Sequence, residues 1–432
     1  MLSPYDRERR LAPILVETSQ RGLRVDVGRL RHDIEKVYEP AMKEVSGRVR
    51  ELVGDINMKS SKQVVAALEA KELVNPDDWI LTPKGNPSVS KDNLKLVLKD
   101  QTLLELMAYQ SSLHTCLNTF MKPWRLQAEM FDGRIHTTWN QVRVIDPEGG
   151  GKGTRTGRIS SSGPNLANVS KRFEDKLGNA QAVPEGLPSL PLCRVYLLPE
   201  VGHIWCKRDW NGQEFRIMAH FEDDSLMLAY QSDPNLDPHG MGAEIITDIT
   251  NTPFARGEVK ITGFSIIYGS GIAGLSKQLG KTATEARTIK ESYGLAFPGV
   301  IALGKNVVKQ GRRGEPIVTW GGRQIFVEPP KIINGRHQDF YYKLLNYLIQ
   351  GSAADQCKQV IIDWDDMKQP EALLLTQVYD ELNISVPEVG WEQHMADLKG
   401  CMEQDMFDVK ITSDGFIGPN WADITEIDSG EA

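Results

Sequence analysis

The sequence predicts an α+β protein made of more than one compact unit. Helical patterning fills the first third and returns from about Glu214 to Lys309. Between and after these blocks lie strand-like runs at Val195–Leu198, His203–Arg208, Leu373–Val378 and Leu382–Val386. The 432 residues suffice for two to four domains at about 100–200 residues each.

The helical reading runs in order along the chain. From Arg31 to Leu52, Ile34, Val37, Met42, Val45 and Val49 recur at helical spacing. Ser60 or Ser61 is placed to cap a helix through Glu69. Leu81–Ser90 is polar and loop-like, and Lys91–Lys99 is helical again. Gly149–Gly153 opens a turn-rich stretch, and Asn179–Pro191, with three prolines, reads as a loop. No internal repeat or low-complexity tract interrupts this order.

Apolar residues at 40% and charged residues at 25% exclude a disordered or collagen-like chain. No apolar run approaches the roughly 18–20 residues needed to span a bilayer, and the N-terminus lacks a signal-peptide core. Five scattered cysteines without a CxxC pair favour a reducing compartment over a disulfide framework or a structural zinc site. A net charge of −8 argues against a polyanionic partner, but the charge is segregated. From Val360 onward 17 acidic residues face 3 basic ones, a net of −14, and the preceding 359 residues carry +6. The acidic segment is either a solvated face or a place where carboxylates hold divalent cations while the rest handles phosphates.

Three constellations bear on that choice. In His203…Asp209-Trp-Asn-Gly-Gln-Glu214-Phe-Arg216, a strand delivers Asp209 just before a helix. Such an aspartate can hold a metal, although a helix cap is the commoner role. In Glu371…Val378-Tyr379-Asp380-Glu381…Pro387, two apolar strands form a hairpin with adjacent carboxylates at its tip. A divalent cation would relieve their repulsion; the plain alternative is a solubilised turn. Arg256, Lys260, Phe264 and Tyr268 recur every fourth residue, one row on a helix. Two cations followed by two aromatics match a nucleoside triphosphate, with phosphates at one end and a base at the other.

These segments, in this order, resemble motifs A, B and C of family A DNA polymerases. Thr156-Gly-Arg158-Ile-Ser-Ser…Pro164-Asn165-Leu-Ala-Asn168 and Asn346…Gln350-Gly-Ser-Ala-Ala-Asp355 resemble two further segments of that family. Asn57…Lys62-Gln63 and Thr82…Lys84-Gly85 resemble its thumb, so the likeness spans nearly the whole chain.

The resemblance implies a right-hand fold with an antiparallel palm sheet, a helical thumb and helical fingers. The expected division is palm at 1–30, 136–220 and 341–432, thumb at 31–135 and fingers at 221–340. It further implies a DNA-directed DNA polymerase that extends a primer 3′-end with dNTPs on a DNA template. Two Mg²⁺ ions, with Mn²⁺ as substitute, would be held by Asp209 and Asp380, with Glu381 in or beside their ligand set. Arg256, Lys260 and His239 would meet the triphosphate, and Lys260 would also protonate the leaving pyrophosphate. Glu214 would be the steric gate against a ribose 2′-hydroxyl. Tyr268 would pack beside the gate, and Phe264 would lie under the incoming nucleotide and disfavour dideoxynucleotides. Arg158, Asn346, Gln350 and Tyr379 would contact the primer–template near the new pair, and Lys62 and Lys84 its phosphates further back.

Several positions depart from the family pattern. Motif A reads Asp-Trp-Asn-Gly-Gln-Glu, so the turn after Asp209 is expected to be shaped differently. Tyr379 replaces a histidine, Tyr342 an arginine, and Gly263 and Ser265 replace Asn and Gly, which would loosen the helix around Phe264. The roughly 35 residues before the thumb are too few for a nuclease domain, so no 3′–5′ or 5′ nuclease activity is expected in this chain. Asp6-Arg-Glu8 is read as a chance D-x-E. The expected setting is the cytoplasm of a bacterial or phage-infected cell, with the protein monomeric and not secreted. A processivity factor, or a separate exonuclease or helicase, would complement it. The alternatives are a translesion or repair polymerase of the same family and a single-subunit RNA polymerase. Glu214 and the Tyr-Asp-Glu of motif C disfavour the latter, and a catalytically silent relative would have lost Asp209, Asp380 or Lys260.

Overall fold

The computed structural model describes residues 2–82, 84–145, 151–171, 183–333 and 335–428. The expected turn at Gly149–Gly150 and the expected loop residues Asn179–Ala182 lie outside them.

Helix α1 (Pro4–Arg21) starts on Ser3, whose hydroxyl accepts the Asp6 N–H at 3.1 Å. Helix α2 (Val27–Asp33), capped by Asp26, passes through a π-helical turn at Ile34–Tyr38 into α3 (Glu39–Val53). The helix expected from Arg31 therefore begins earlier, where the Asp26 carboxylate satisfies the Arg29 N–H at 2.9 Å. Ser60 caps α4 (Ser61–Ala70), and α5 (Lys91–Val97), α6 (Gln101–Thr115) and α7 (Lys122–Met130) follow. Their apolar faces close on one core containing Leu30, Val45, Leu68, Leu103, Tyr109 and Trp124.

Of the strand expected at Val195–Leu198, only Leu197–Leu198 pairs, with Arg24 and Val25. Cys193–Tyr196 forms a 3₁₀ turn with all four side chains buried. Burial on successive residues gives an apolar run without making a strand.

The central sheet begins with β1 (His203–Trp210). Seven helices follow: α8 (Gln213–Glu222), α9 (Ser225–Ser232), α10 (Pro238–Thr250), α11 (Arg256–Ile267), α12 (Ile272–Leu279), α13 (Ala283–Ala296) and α14 (Pro298–Arg312). The long helix α15 (Leu344–Met367) leads to β2 (Leu373–Val378) and β3 (Glu381–Pro387), then α16 (Trp391–Met402), β4 (Ser413–Gly418) and β5 (Thr425–Asp428). The strands lie in the order β2-β3-β1-β4-β5 and every pair is antiparallel. Strand alternation divides the cores: Trp205 joins the one shared with the N-terminal helices, and Cys206 joins a second under α8, α11 and α15.

A buried ionic network fixes α15 against α1. Arg7 lies 3.6 Å from Asp355, and Arg323 donates to Asp355 at 2.8 Å and to Glu8 at 2.6 Å. Lys358 donates to Glu8 at 2.5 Å. Glu8 thus neutralises buried cations, while Asp6 pairs with Ser3 at the start of α1. All five cysteines are buried and none is in a disulfide. Among the described residues, no helix is long and apolar enough to cross a membrane.

Candidate active site

Asp209 sits on the central strand with Glu381 opposite it on β3 and Asp414 opposite it on β4. Asp380 occupies the two-residue turn between β2 and β3, beside Tyr379, whose φ of 56° is left-handed. The Trp210 N–H donates to the Asp380 carbonyl at 3.0 Å, which ties the hairpin turn to the end of β1. Two carboxylates far apart in sequence are therefore held side by side by backbone. Burial, and next the charge of Asp209, push the Asp380 carboxyl up to about 7.

Glu381 is not a solvated tip residue, as its place in the sequence suggested; its side chain is fully buried. Its Oε1 accepts from Trp421 Nε1 at 2.7 Å, Asn383 at 2.9 Å and Arg194 at 3.3 Å. Burial alone would raise its pKa, but Arg194, Lys171 and Lys207 prevail and hold it at about 2. Lys171 Nζ lies 2.9 Å from Asp209 Oδ2 and 3.1 Å from Glu381 Oε2, and Lys207 lies 3.6 Å from Asp209. Arg194, Lys171, Lys207 and Trp421 are members of the site that sequence reasoning missed. Lys207 carried a signal, since its two-residue spacing from Asp209 puts both on one face of the strand.

The turn after Asp209 has its own bracing. Gly212 is left-handed (φ 57°), Asn211 donates to Asp414 at 2.8 Å, and Arg216 donates to the Asn211 carbonyl at 2.9 Å. This bracing sets Glu214 in the first turn of α8. Arg158 forms an ion pair with Glu214, and the Arg158 guanidinium also lies 5.8 Å from the Tyr379 ring centre. The Tyr268 hydroxyl donates to the other Glu214 oxygen at 3.3 Å, and Gln350 lies beside the same hydroxyl. Burial, then Glu214, raise the Tyr268 pKa.

The row on α11 is partly as expected. The helix spans Arg256–Ile267, so Tyr268 is its C-cap rather than a fourth helical member. Phe264 still stacks on Tyr268 with ring centres 5.9 Å apart, and meets Phe215 edge-on at 5.0 Å. Gly263 lies inside the helix, where a Cβ would lie 2.7 Å from Phe215 and 3.0 Å from the Tyr293 hydroxyl oxygen. The missing side chain is what admits Phe215, and Ser265 beside it is buried. Arg256 pairs with Asp237 at 2.6 Å; Asp237 also caps α10 by accepting the His239 N–H. Lys260 is exposed one turn further along. His239 packs edge-on against Phe215 at 4.5 Å, and burial pulls its pKa down to about 4.

Contacts thus link Asp209 with Asp380 and Glu381, and Arg158 with Glu214, Tyr379, Tyr268, Gln350, Phe264 and, through Phe215, His239. Asn346 lies one turn before Gln350 on α15. Lys62 and Lys84 are exposed on the N-terminal helical unit and do not join the cluster. Among the described residues no group of three or more His, Cys, Asp or Glu makes a ready metal cage. Two carboxylates repelling each other and a buried Glu381 Oε2, which takes no hydrogen bond from the described residues and faces only the Lys171 ammonium among them, nevertheless suit a hard cation.

The family model for DNA polymerase family A matches residues 29–423. DNA polymerase I of Bacillus caldotenax is 29% identical over 96% of this chain and 45% of its own length. DNA polymerase DpoZ of Salmonella phage PMBT28 is 26% identical over 98% of this chain and 69% of its own length. The chain thus spans about half the length (45%) of the bacterial relative. The solved POL domain of Pol1 from M. smegmatis, in complex with DNA primer-template and dNTP, shares the fold. Its TM-score is 0.78 at 24% identity, covering 96% of this chain and 70% of that one. With residues 29–423 matched, Asp209, Asp380 and the helix row included, the chain belongs to DNA polymerase family A.

Proposed function

We propose that the chain catalyses DNA-templated DNA synthesis, extending a primer 3′-end with dNTPs. The observation that carries this reading is the backbone-locked pair of Asp209 and Asp380 beside the wall of Glu214, Tyr268 and Phe264. In the reaction the primer 3′-oxygen attacks the α-phosphorus, the bond to the β-phosphate bridge breaks, pyrophosphate leaves and the hydroxyl proton passes to solvent. Asp209 and Asp380, backed by Glu381, would hold two Mg²⁺ ions or Mn²⁺ in their place; bound there, such ions supply hydroxyl activation and neutralise the leaving phosphates.

The chain's own side chains do the positioning. Arg256 and Lys260 meet the triphosphate, with His239 close by and neutral, and Lys260 gives a proton to the departing pyrophosphate. Glu214, braced by Arg158 and Tyr268, fills the space a 2′-hydroxyl would need. Arg158, Asn346, Gln350 and Tyr379 line the place of the newest base pair, where minor-groove acceptors occur alike in all four pairs. Lys62 and Lys84 neutralise backbone phosphates from the thumb. In this reading 31–135 is the thumb, 221–340 the fingers and the remainder the palm.

The test is primer extension with Mg²⁺, comparing wild type with Asp380→Ala. Extension should fall by at least about a thousandfold; persistence of wild-type extension would sink the mechanism. Faster use of rNTPs than dNTPs by the wild type would instead favour an RNA polymerase.

A further inference from the structure

Three carboxylates, Asp209, Asp380 and Glu381, share this site with three cations, and the cations are not equivalent. Arg194 is buried, lies 3.8 Å from the Trp421 ring centre and donates to the Val169 carbonyl at 3.1 Å. Lys207 is buried with its ammonium 3.8 Å from the Phe416 ring centre. Both are fixed by packing. The Lys171 side chain is 46% exposed, yet its ammonium reaches both strands, 2.9 Å from Asp209 Oδ2 and 3.1 Å from Glu381 Oε2. Fixed donors saturate Glu381 Oε1, whereas Oε2 takes no hydrogen bond from the described residues. Lys171 therefore stands against one oxygen of each strand's carboxylate, and shares Asp209 Oδ2 with Lys207, 3.6 Å away.

We propose that Lys171 is a built-in counter-cation of the unloaded site, which has to withdraw before a divalent ion can be held there. A divalent ion on Asp209 Oδ2 and an ammonium 2.9 Å from the same oxygen would repel at close range, so the two occupy the site in alternation. Lysine suits such a part because its four-carbon stem is flexible and its exposed side offers a way out. The site then keeps its carboxylates neutralised when empty, and metal is taken up only in exchange for the lysine. This inference rests on the metal-site reading of Asp209 and Asp380.

The test is titration of the DNA-free, nucleotide-free protein with Mn²⁺, following free Mn²⁺ by electron paramagnetic resonance. Lys171→Met and Lys171→Gln should bind Mn²⁺ about tenfold more tightly than wild type, whereas Lys171→Arg, which keeps the charge, stays within about threefold. Circular dichroism melts with saturating Mn²⁺ should match wild type and so separate competition from misfolding. Equal or weaker binding by folded Lys171→Met and Lys171→Gln overturns the inference. Asp209→Asn distinguishes the two readings. If it binds Mn²⁺ as wild type does, the metal-site reading falls and this one with it. If it loses Mn²⁺ while Lys171→Met is unchanged from wild type, only the lysine's part falls.

Discussion

The Tyr268 hydroxyl donates to Glu214 Oε2 at 3.3 Å, joining the end of α11 to the first turn of α8, and Arg158 holds the other oxygen of the same carboxylate. Glu214 is thereby fixed as a wall, with its charge already compensated. Truncating it opens space beside Tyr268. Glu214→Ala should lower the preference for dNTP over rNTP by about a hundredfold, read as the ratio of kcat/KM values in single-nucleotide extension. An unchanged ratio would remove Glu214 from the gate.

Phe264 stacks on Tyr268 and carries no polar group toward the cleft. Phe264→Tyr adds a hydroxyl there and should lower discrimination against dideoxynucleotides by at least about tenfold. Competition between ddNTP and dNTP in chain-termination assays measures this. Unaltered selectivity would count against the placement of Phe264 under the incoming sugar.

Gly263 lets Phe215 and Tyr293 close on α11. Gly263→Ala would force a Cβ into that contact and should destabilise the protein by about 1–3 kcal/mol. Urea unfolding gives the value directly. A stability equal to wild type would mean that the rings yield without cost.

Arg194 neutralises a fully buried Glu381 while lying against Trp421. Arg194→Met keeps much of the volume but leaves the carboxylate without its fixed cation, which should cost about 3–5 kcal/mol. Pairing it with Glu381→Gln should recover a large part of the loss, because both charges are then gone. No recovery in the double variant would assign the loss to packing on Trp421 instead.

His239 couples stability to pH. Burial lowers its pKa from 6.5 to about 4; Asp237 acts the other way, and Arg256 and Lys260 add to the lowering. The unfolded chain takes up a proton near pH 6.5 that the folded chain refuses until about pH 4. The contribution to stability is full above about 6.5 and declines as pH falls toward 4, by about 3 kcal/mol in all. Denaturant melts between pH 7.5 and 4.5 should show a shallower decline for His239→Asn than for wild type. Parallel declines would show that other groups set the slope.

The parts of the fold legible in the sequence were those with an internal rhythm. β2 spans Leu373–Val378 as its apolar run indicated, and β1 and β3 extend the indicated runs at their ends. The Ser60 cap was likewise readable from local chemistry. Capping moved the start of the first long helix to Asp26, and the successive buried residues of Cys193–Tyr196 left no periodicity to read. Of the site, the carboxylates and the aromatic row were visible because they sit in strands, turns and helices with recognisable spacing. Lys171, Arg194 and Trp421 were not, since each reaches Glu381 or Asp209 from a separate segment of the chain. In the acidic C-terminal segment Asp366, Glu371, Glu388, Glu392, Asp405 and Asp408 are exposed, as a solvated face requires, whereas Glu381 is fully buried.

Glu381, Asp209 and Asp414 stand on one rung across three adjacent strands. Side chains along a strand change face at every residue, so the chemistry of that rung depends on an odd-or-even count. Adding or removing one residue within β1 between His203 and Asp209 would turn Asp209 toward the core under α8. A change of two would return it to the cleft, displaced by one pleat. The strands that carry Asp209 and Glu381 can therefore change length only in steps of two.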